Sequence, residues 1–411
     1  MRRVAVTGIG VVSSLGLTRE TFWQSLCAGS SGFAPLERVD RSQLKFGNAA
    51  EVRGLDPCQF MSAKEADQVD RFVHLAAAAV AEAIADSGRT FVGEETAIIT
   101  GTSCGGTETE DTAFHELYGL SKTRLNPLTI PRIMANAAAS WISMRYGITG
   151  PAYTVSTACA SSNHAIGQAF HLVRSGQVEA ALAGGSEAPF SLGILKAWEA
   201  MRVVSPDTCR PFSTGRSGLI LAEGAAMLTL EPLDAALARG THVYAEICGF
   251  GMSSDASHVT APSADGAARA MKLALRDASL TPEQIGYINA HGTGTPINDV
   301  TETAAIRQVF PAPPALSSTK SMHGHALGAA GAIEAAATLL ALDCGVLPPT
   351  MNFLGADPAC DLDIIPGCAR HQHVEAALSN SFAFGGLNAV LAFRKWNSDC
   401  SRTTATVRSG S

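Results

Sequence analysis

The sequence has 411 residues, 46% hydrophobic and 16% charged, with a formal net charge of −7. That apolar content fills one large core or two medium ones and excludes intrinsic disorder. The acidic balance, without any Lys/Arg run, excludes nucleic acid as the main partner, because phosphate binding relies on clustered cations.

The chain opens M-R-R-V-A-V-T-G-I-G-V-V-S-S-L-G. Two arginines before an apolar run imitate a signal peptide, but no A-x-A cleavage site follows, so the run reads as a strand entering a Gly-rich turn. No stretch reaches the ~18 uninterrupted apolar residues of a membrane span. The ten cysteines include no C-x-x-C pair and no Cys/His zinc spacing. Their irregular usage fits a reducing compartment, and a soluble cytoplasmic protein is expected.

Three segments of the first half echo in the second, in the same order. V-A-V-T-G-I-G-V-V-S-S at 4–14 pairs with Y-A-E-I-C-G-F-G-M-S-S at 244–254. A-E-A-I-A-D-S-G leading to A-I-I-T-G-T pairs with K-L-A-L-R-D-A-S leading to Y-I-N-A-H-G-T. V-E-A-A-L-A-G-G from Val178 pairs with V-E-A-A-L-S-N-S from Val374. Two related α/β halves are expected, 1–240 and 241–396, layered around a shared core, with an insertion early in the first. The polar tail 397–411 is expected to be disordered.

Between these echoes lies V-S-T-A-C-A-S-S-N-H, residues 155–164. Residues 153–156 read as a short strand, and 161–175 have helical periodicity through Ala165, Ile166, Ala169, Phe170 and Val173. Cys159 therefore sits at a strand-to-helix turn, where unpaired N–H groups and the helix dipole favour a reactive thiolate. A buried inert thiol is the competing reading. His164 is a poor base for it, because five helical residues rotate it well away.

Further along, 287–290 reads as a strand ending at His291, before the turn G-T-G-T-P. S-S-T-K-S-M-H-G-H, residues 317–325, brings Lys320, His323 and His325 to the start of a Gly/Ala-rich helix running to Cys344. S-N-S-F-A-F-G-G-L-N, residues 379–388, holds a glycine loop whose N–H groups suit a developing oxyanion.

With these residues in view, the chain resembles the β-ketoacyl-acyl carrier protein synthases, elongating condensing enzymes of the thiolase-like superfamily. The likeness runs from about residue 3 to 396 and rests on five ordered motifs: the opening segment, T-A-C-A-S-S, H-G-T-G-T-P with Asp299 and Glu302, S-T-K-S-M-x-G-H-x-L-G-A-A-G, and N-S-F-A-F-G-G-L-N. It implies a duplicated α/β/α/β/α fold. It also implies a decarboxylating Claisen condensation: Cys159 carries the acyl chain, and His291 and His325 stabilise an enolate from a malonyl thioester. The N–H groups of Cys159 and Phe384 would hold the second oxyanion, and Phe384 would gate the site. Lys320 would orient the His325 side, with Glu302 as its ion-pair partner.

The same resemblance implies an acyl pocket walled by Cys104 and Trp198, with Thr293 and Thr295 on the substrate side. Lys64 and Arg202 would dock an acidic acyl carrier protein, whose 4′-phosphopantetheine delivers the substrate; no resident cofactor is expected. Asn289, Glu334, Ser379 and Asn388 match positions where the family can hold a structural Na+ or K+. The family pairs through the region near 130–175, which implies a homodimer or a heterodimer with a chain-length-factor subunit.

Several residues depart from the fatty-acid pattern. His323 replaces a usual threonine and reads as a hydrogen-bonded neighbour of the site. Cys104 is smaller than the usual aliphatic residue and either enlarges the acyl pocket or is simply a small core residue. Asp67 and Gln68 replace basic docking positions. L-A-G-G-S-E-A-P, L-K-A-W-E-A-M-R and P-D-T-C-R-P-F-S look more like specialised synthases, among them nodulation protein E and the aryl-polyene or polyketide ketosynthases. A partner subunit of the chain-length-factor type and a thiolase-like acyltransferase are the alternative readings; intact Cys159, His291 and His325 weigh against both.

Overall fold

The computed structural model describes residues 1–396, so the expectation of a disordered tail at 397–411 lies outside the described residues. Ten strands form one hydrogen-bonded sheet. They are β1 (Val4–Val12), β2 (Thr96–Gly101), β3 (Ala152–Val155), β4 (Ala180–Glu187), β5 (Gly224–Pro232), β6 (Ala245–Ser254), β7 (Tyr287–Asn289), β8 (Ala315–Ser317), β9 (Ala376–Phe382) and β10 (Leu387–Arg394). Their order is β8-β7-β9-β10-β6-β1-β5-β4-β2-β3.

That order is two copies of one five-stranded pattern set back to back. β1 and β5 are antiparallel, as are β6 and β10; β5 and β4 match β10 and β9. β4, β2 and β3 are then parallel neighbours, as are β9, β7 and β8. Within the sheet the copies are joined where Val4, Ala5 and Val6 pair with Ile247, Glu246 and Ala245. The three sequence echoes fall on equivalent elements: β1 with β6, the helix leading to β2 with that leading to β7, and β4 with β9.

Helices fill the space between and outside the copies. Those that frame the site and its core include α1 (Arg71–Ser87), α2 (Ser161–Ser175), α3 (Leu192–Met201), α4 (Ala264–Ala278), α5 (Pro296–Val309) and α6 (Ala330–Cys344). α2 and α6 share one core with inward residues of both copies, including Ile9, Leu228, Leu391 and Phe393. A helix apolar all round belongs inside, and every residue of α6 from Ala330 to Leu342 is buried. The stretch Leu327–Cys344 is long and apolar enough to cross a membrane by composition, yet 89% of it is buried inside this core. α1 covers one outer face, and α4 with α5 covers the other. Five layers result.

The turn after the opening strand spans Ser13–Gly16 and is closed by Gly16, while Gly8 and Gly10 are not part of it and lie within β1. A Cβ on Gly8 would lie 2.1 Å from the Ala83 carbonyl oxygen, and one on Gly10 only 1.9 Å from that of Ala79. Gly249 and Gly251 stand in the same relation to Ala274 and Ala270 of α4, at 2.4 and 2.1 Å. The repeated G-x-G is thus where an outer helix backbone touches its sheet, once in each half.

Candidate active site

The site forms where the parallel strands of the two halves end. After β3 the chain turns sharply at Ala158, whose φ of +50° lies in the left-handed region disfavoured for any residue but glycine. Hydrogen bonds over-determine that turn: Ser161 Oγ donates to the Ala158 carbonyl at 2.7 Å and accepts from Thr157 N–H at 2.9 Å. Cys159 follows, 6% exposed, just before α2.

Burial pushes the Cys159 thiol up to about 11, against the pull of the Lys320 ammonium and of the Phe384 and Cys159 N–H groups. Of the two readings of this turn, desolvation favours the thiol as the resting group. The two N–H groups acting on the sulfur are the pair suited to an oxyanion.

His291 follows β7, and its ring stands edge-on to that of His325, centroids 5.4 Å apart at 84°. Cys159 Sγ and one ring nitrogen of each histidine lie within 4.8 Å of one another. The Leu327 N–H donates to His325 Nδ1 at 3.1 Å, and Lys320 Nζ faces His291 Nδ1 at 3.4 Å. Each contact leaves the ring proton on Nε2. Burial, reinforced by the Lys320 charge, holds both imidazoles well below the usual histidine range. The site therefore presents two neutral N–H donors beside a thiol.

The surrounding residues differ from expectation in four ways. Lys320 ion-pairs with Glu334, not Glu302, both ends fully buried. Its Nζ also donates to the His291 carbonyl at 2.7 Å, so its hydrogen bonds go to the His291 side while its charge acts on both imidazoles. Glu302, on α5, instead accepts from the N–H groups of His291 and Gly292 at 2.9 and 2.8 Å and fixes that loop. Cys104, on the turn after β2, is exposed and is not among the residues lining the cavity at Cys159. Fourth, Asn388 donates to Asp255 at 2.7 Å and belongs to the support of the glycine loop.

Asn289 and Ser379 are register partners on β7 and β9, so their side chains share a face. Asn289 Nδ2 reaches the Glu334 carbonyl at 3.3 Å. Asn289 Oδ1, Glu334 Oε2 and Ser379 Oγ are buried with no hydrogen-bond partner. Three orphaned oxygens, one of them a carboxylate's, are a donor set suited to a hard monovalent cation.

A cavity of about 360 Å³ opens onto Cys159, His291 and His325. Trp198, Thr293, Thr295 and Arg202 line it, and Thr293 and Thr295 hydroxyls meet at 2.9 Å. Phe384 stacks on Trp198 with centroids 6.1 Å apart. Its loop turns through Gly385 and Gly386 at φ +81° and +71°, and Gly385 N–H donates to the Val259 carbonyl at 2.7 Å. Lys64 is exposed on a short helix, Ala63–Ala66, and does not line the cavity. His164 is tied to Thr157 and the Ala160 carbonyl, and His323 to Thr319 at 2.9 Å; neither lines the cavity.

Sequence reading missed Glu187, buried behind Cys159, and Asp255, which braces the glycine loop. Glu187 was visible as a carboxylate ending the apolar strand A-A-L-A-G-G-S-E, an anomaly for a buried strand.

Comparisons with known proteins agree along the chain. Residues 1–236 match the family described as Beta-ketoacyl synthase, N-terminal domain, and residues 244–354 its C-terminal domain. Nodulation protein E of a Rhizobium species is 44% identical over 401 residues, 96% of this chain and 99% of that one. The 3-oxoacyl-(acyl-carrier-protein) synthase 2 of a Synechocystis species is 42% identical over 410 residues, 96% of this chain and 98% of that one. Among solved structures, the ishigamide ketosynthase/chain length factor superposes with a TM-score of 0.93 at 39% identity, covering 96% of this chain and all of that one.

Proposed function

The chain belongs to the β-ketoacyl synthase family, and from that premise we propose that it elongates acyl chains by decarboxylative Claisen condensation on an acyl carrier protein. The observation that carries this reading is the meeting of a thiol and two neutral imidazoles, with Sγ and one ring nitrogen of each histidine within 4.8 Å of one another.

In the first step Cys159 sulfur attacks the acyl thioester carried on the 4′-phosphopantetheine of the carrier. A new S–C bond forms, the old one breaks, and the thiol proton leaves with the carrier sulfur. A malonyl thioester then loses carbon dioxide, and the electron pair of the broken C–C bond moves onto the thioester oxygen as an enolate. The Nε2–H groups of His291 and His325 hold that oxygen. The enolate carbon attacks the acyl-Cys159 carbonyl, whose oxygen rests on the N–H groups of Cys159 and Phe384. Collapse expels the Cys159 thiolate, which takes up a proton, and leaves the lengthened β-ketoacyl chain on the carrier. Lys320 acts through both histidines and Glu302 through His291, and Phe384 on Trp198 gates the cavity.

The relatives named for nodulation and for ishigamide support an unsaturated or otherwise specialised acyl product. Arg202 at the cavity mouth and exposed Lys64 suit an acidic carrier. β3 is an edge strand, and Ile130, Met134, Met144 and Tyr153 are exposed apolar residues around it. Such an edge suits pairing with a second copy or a related chain-length-factor subunit. Asn289, Glu334 and Ser379 would hold a structural Na+ or K+. The enzyme would work in the cytoplasm.

The test is intact-protein mass spectrometry of wild type and Cys159→Ala after incubation with a panel of acyl carrier proteins. A thioester adduct on wild type alone is expected. An adduct on both proteins, or on neither even with a co-expressed partner subunit, contradicts the reading.

A further inference from the structure

Glu187 ends β4, is 1% exposed, and is not among the groups that handle the acyl or malonyl chain above. Four donors converge on its carboxylate: Thr102 Oγ1 at 2.9 Å, Ser103 N–H and Oγ each at 2.6 Å, and Gly328 N–H at 2.9 Å. Two backbones thus meet on one side chain, one from each half of the molecule.

On the first-half side, the Thr102 carbonyl accepts from Ser161 Oγ at 3.2 Å, and Ser161 is the residue that pins the Ala158 turn ahead of Cys159. Ser156 Oγ, just before that turn, donates to the Ser103 carbonyl at 3.2 Å. On the second-half side, Gly328 follows Leu327, held at φ +47°, a strained conformation for leucine. That conformation aims the Leu327 N–H back at His325 Nδ1. No side chain fits at Gly328, where a Cβ would lie 2.3 Å from Ser103 N and 2.6 Å from Glu187 Oε2.

We propose that Glu187 is a positioning residue whose carboxylate holds the Cys159 turn of one half in register with the His325 turn of the other. The inference rests on the reading of Cys159 and His325 as reacting groups. A carboxylate suits the task because all four partners are donors; an amide would set its own NH2 against one of them. The same charge acts on the sulfur, opposing the thiolate that Lys320 and the Phe384 and Cys159 N–H groups favour, with neutral His291 and His325 as the remaining titratable neighbours.

The experiment compares wild type, Glu187→Gln and Thr102→Val in two assays: condensation kinetics, and the pH dependence of Cys159 alkylation by iodoacetamide followed by the mass of the Cys159 peptide after digestion. For Glu187→Gln, kcat falls at least about tenfold with KM for the acyl carrier nearly unchanged. Its alkylation midpoint moves to lower pH, because a negative charge beside the sulfur is gone. Thr102→Val, which keeps shape and charge but removes one donor, loses about threefold to tenfold in kcat and stays folded. Wild-type kcat in either variant overturns the proposal. So does a loss of kcat that merely tracks a fallen melting temperature while the alkylation profile stays put. Alkylation needs the thiolate but no acyl carrier, so its shift reports on Glu187 even if wild type takes up no acyl group, the result that would instead sink the functional reading.

Discussion

Replacing Lys320 with methionine removes a cation buried against the two histidines while keeping the length of the side chain. Its Nζ is 3.4 Å from His291 Nδ1, and its charge is the second cause, after burial, holding both imidazoles down. Two unit charges at 3.4 Å interact by about 5 kcal/mol at an effective dielectric constant near 20 and by about 1 kcal/mol in bulk water. Glu334 sits against the ammonium and cancels part of its field, which brings the value toward the lower end. The histidine titration therefore moves upward when the charge is removed. The sign is fixed: a depressed base loses its depressing charge, so protonation sets in at higher pH. Malonyl-carrier decarboxylation measured across roughly pH 5 to 9 should show its acid limb displaced upward in Lys320→Met. A variant that loses rate uniformly, with the acid limb unmoved, would refute the electrostatic role and place Lys320 in direct contact with substrate.

Glu302→Gln tests linkage, because burial raises the Glu302 carboxyl from 4.5 to about 7. A raised acid stabilises the fold below its unfolded value and loses that contribution as pH climbs through the folded one, so urea unfolding should weaken by up to about 3 kcal/mol less in the variant between those limits; parallel curves would contradict this. Asn289→Ala should abolish a melting-temperature difference of a few degrees between potassium and N-methylglucamine buffers in wild type, and equal wild-type values in both would count against the cation. Gly10→Ala, which drives a Cβ to 1.9 Å from the Ala79 carbonyl oxygen, should cost about 3 kcal/mol by calorimetry. A neutral result would mean that α1 can lift from its sheet freely.

The duplicated fold was legible because its echoes mark real constraints: G-x-G where helices touch the sheet, and apolar V-E-A-A-L at β4 and β9. The nucleophile turn was equally readable, since a β-prone run meeting helical periodicity leaves Cys159 at the junction. Its protonation state was not, because the helix start is written in the local sequence while burial by distant elements is not. The partner of Lys320 was misassigned for a similar reason. Glu302 and Glu334 are both buried near it, and only the packing of α6 decides that Glu334 meets the ammonium. Cys104 and Asn388 were carried over by motif position, which fixes a place along the chain and leaves the direction of the side chain to the turn that holds it.

Labelled malonyl-carrier protein tests the central claim most directly. Wild-type enzyme would be loaded with an acyl chain on Cys159 and given malonyl-carrier labelled with carbon-13 at all three malonyl carbons. Decarboxylative condensation predicts that one labelled carbon leaves as carbon dioxide and two appear in a lengthened β-ketoacyl carrier, with Cys159 freed in equal amount. Release of labelled carbon dioxide without a lengthened chain, or loss of the acyl group to water alone, would contradict it.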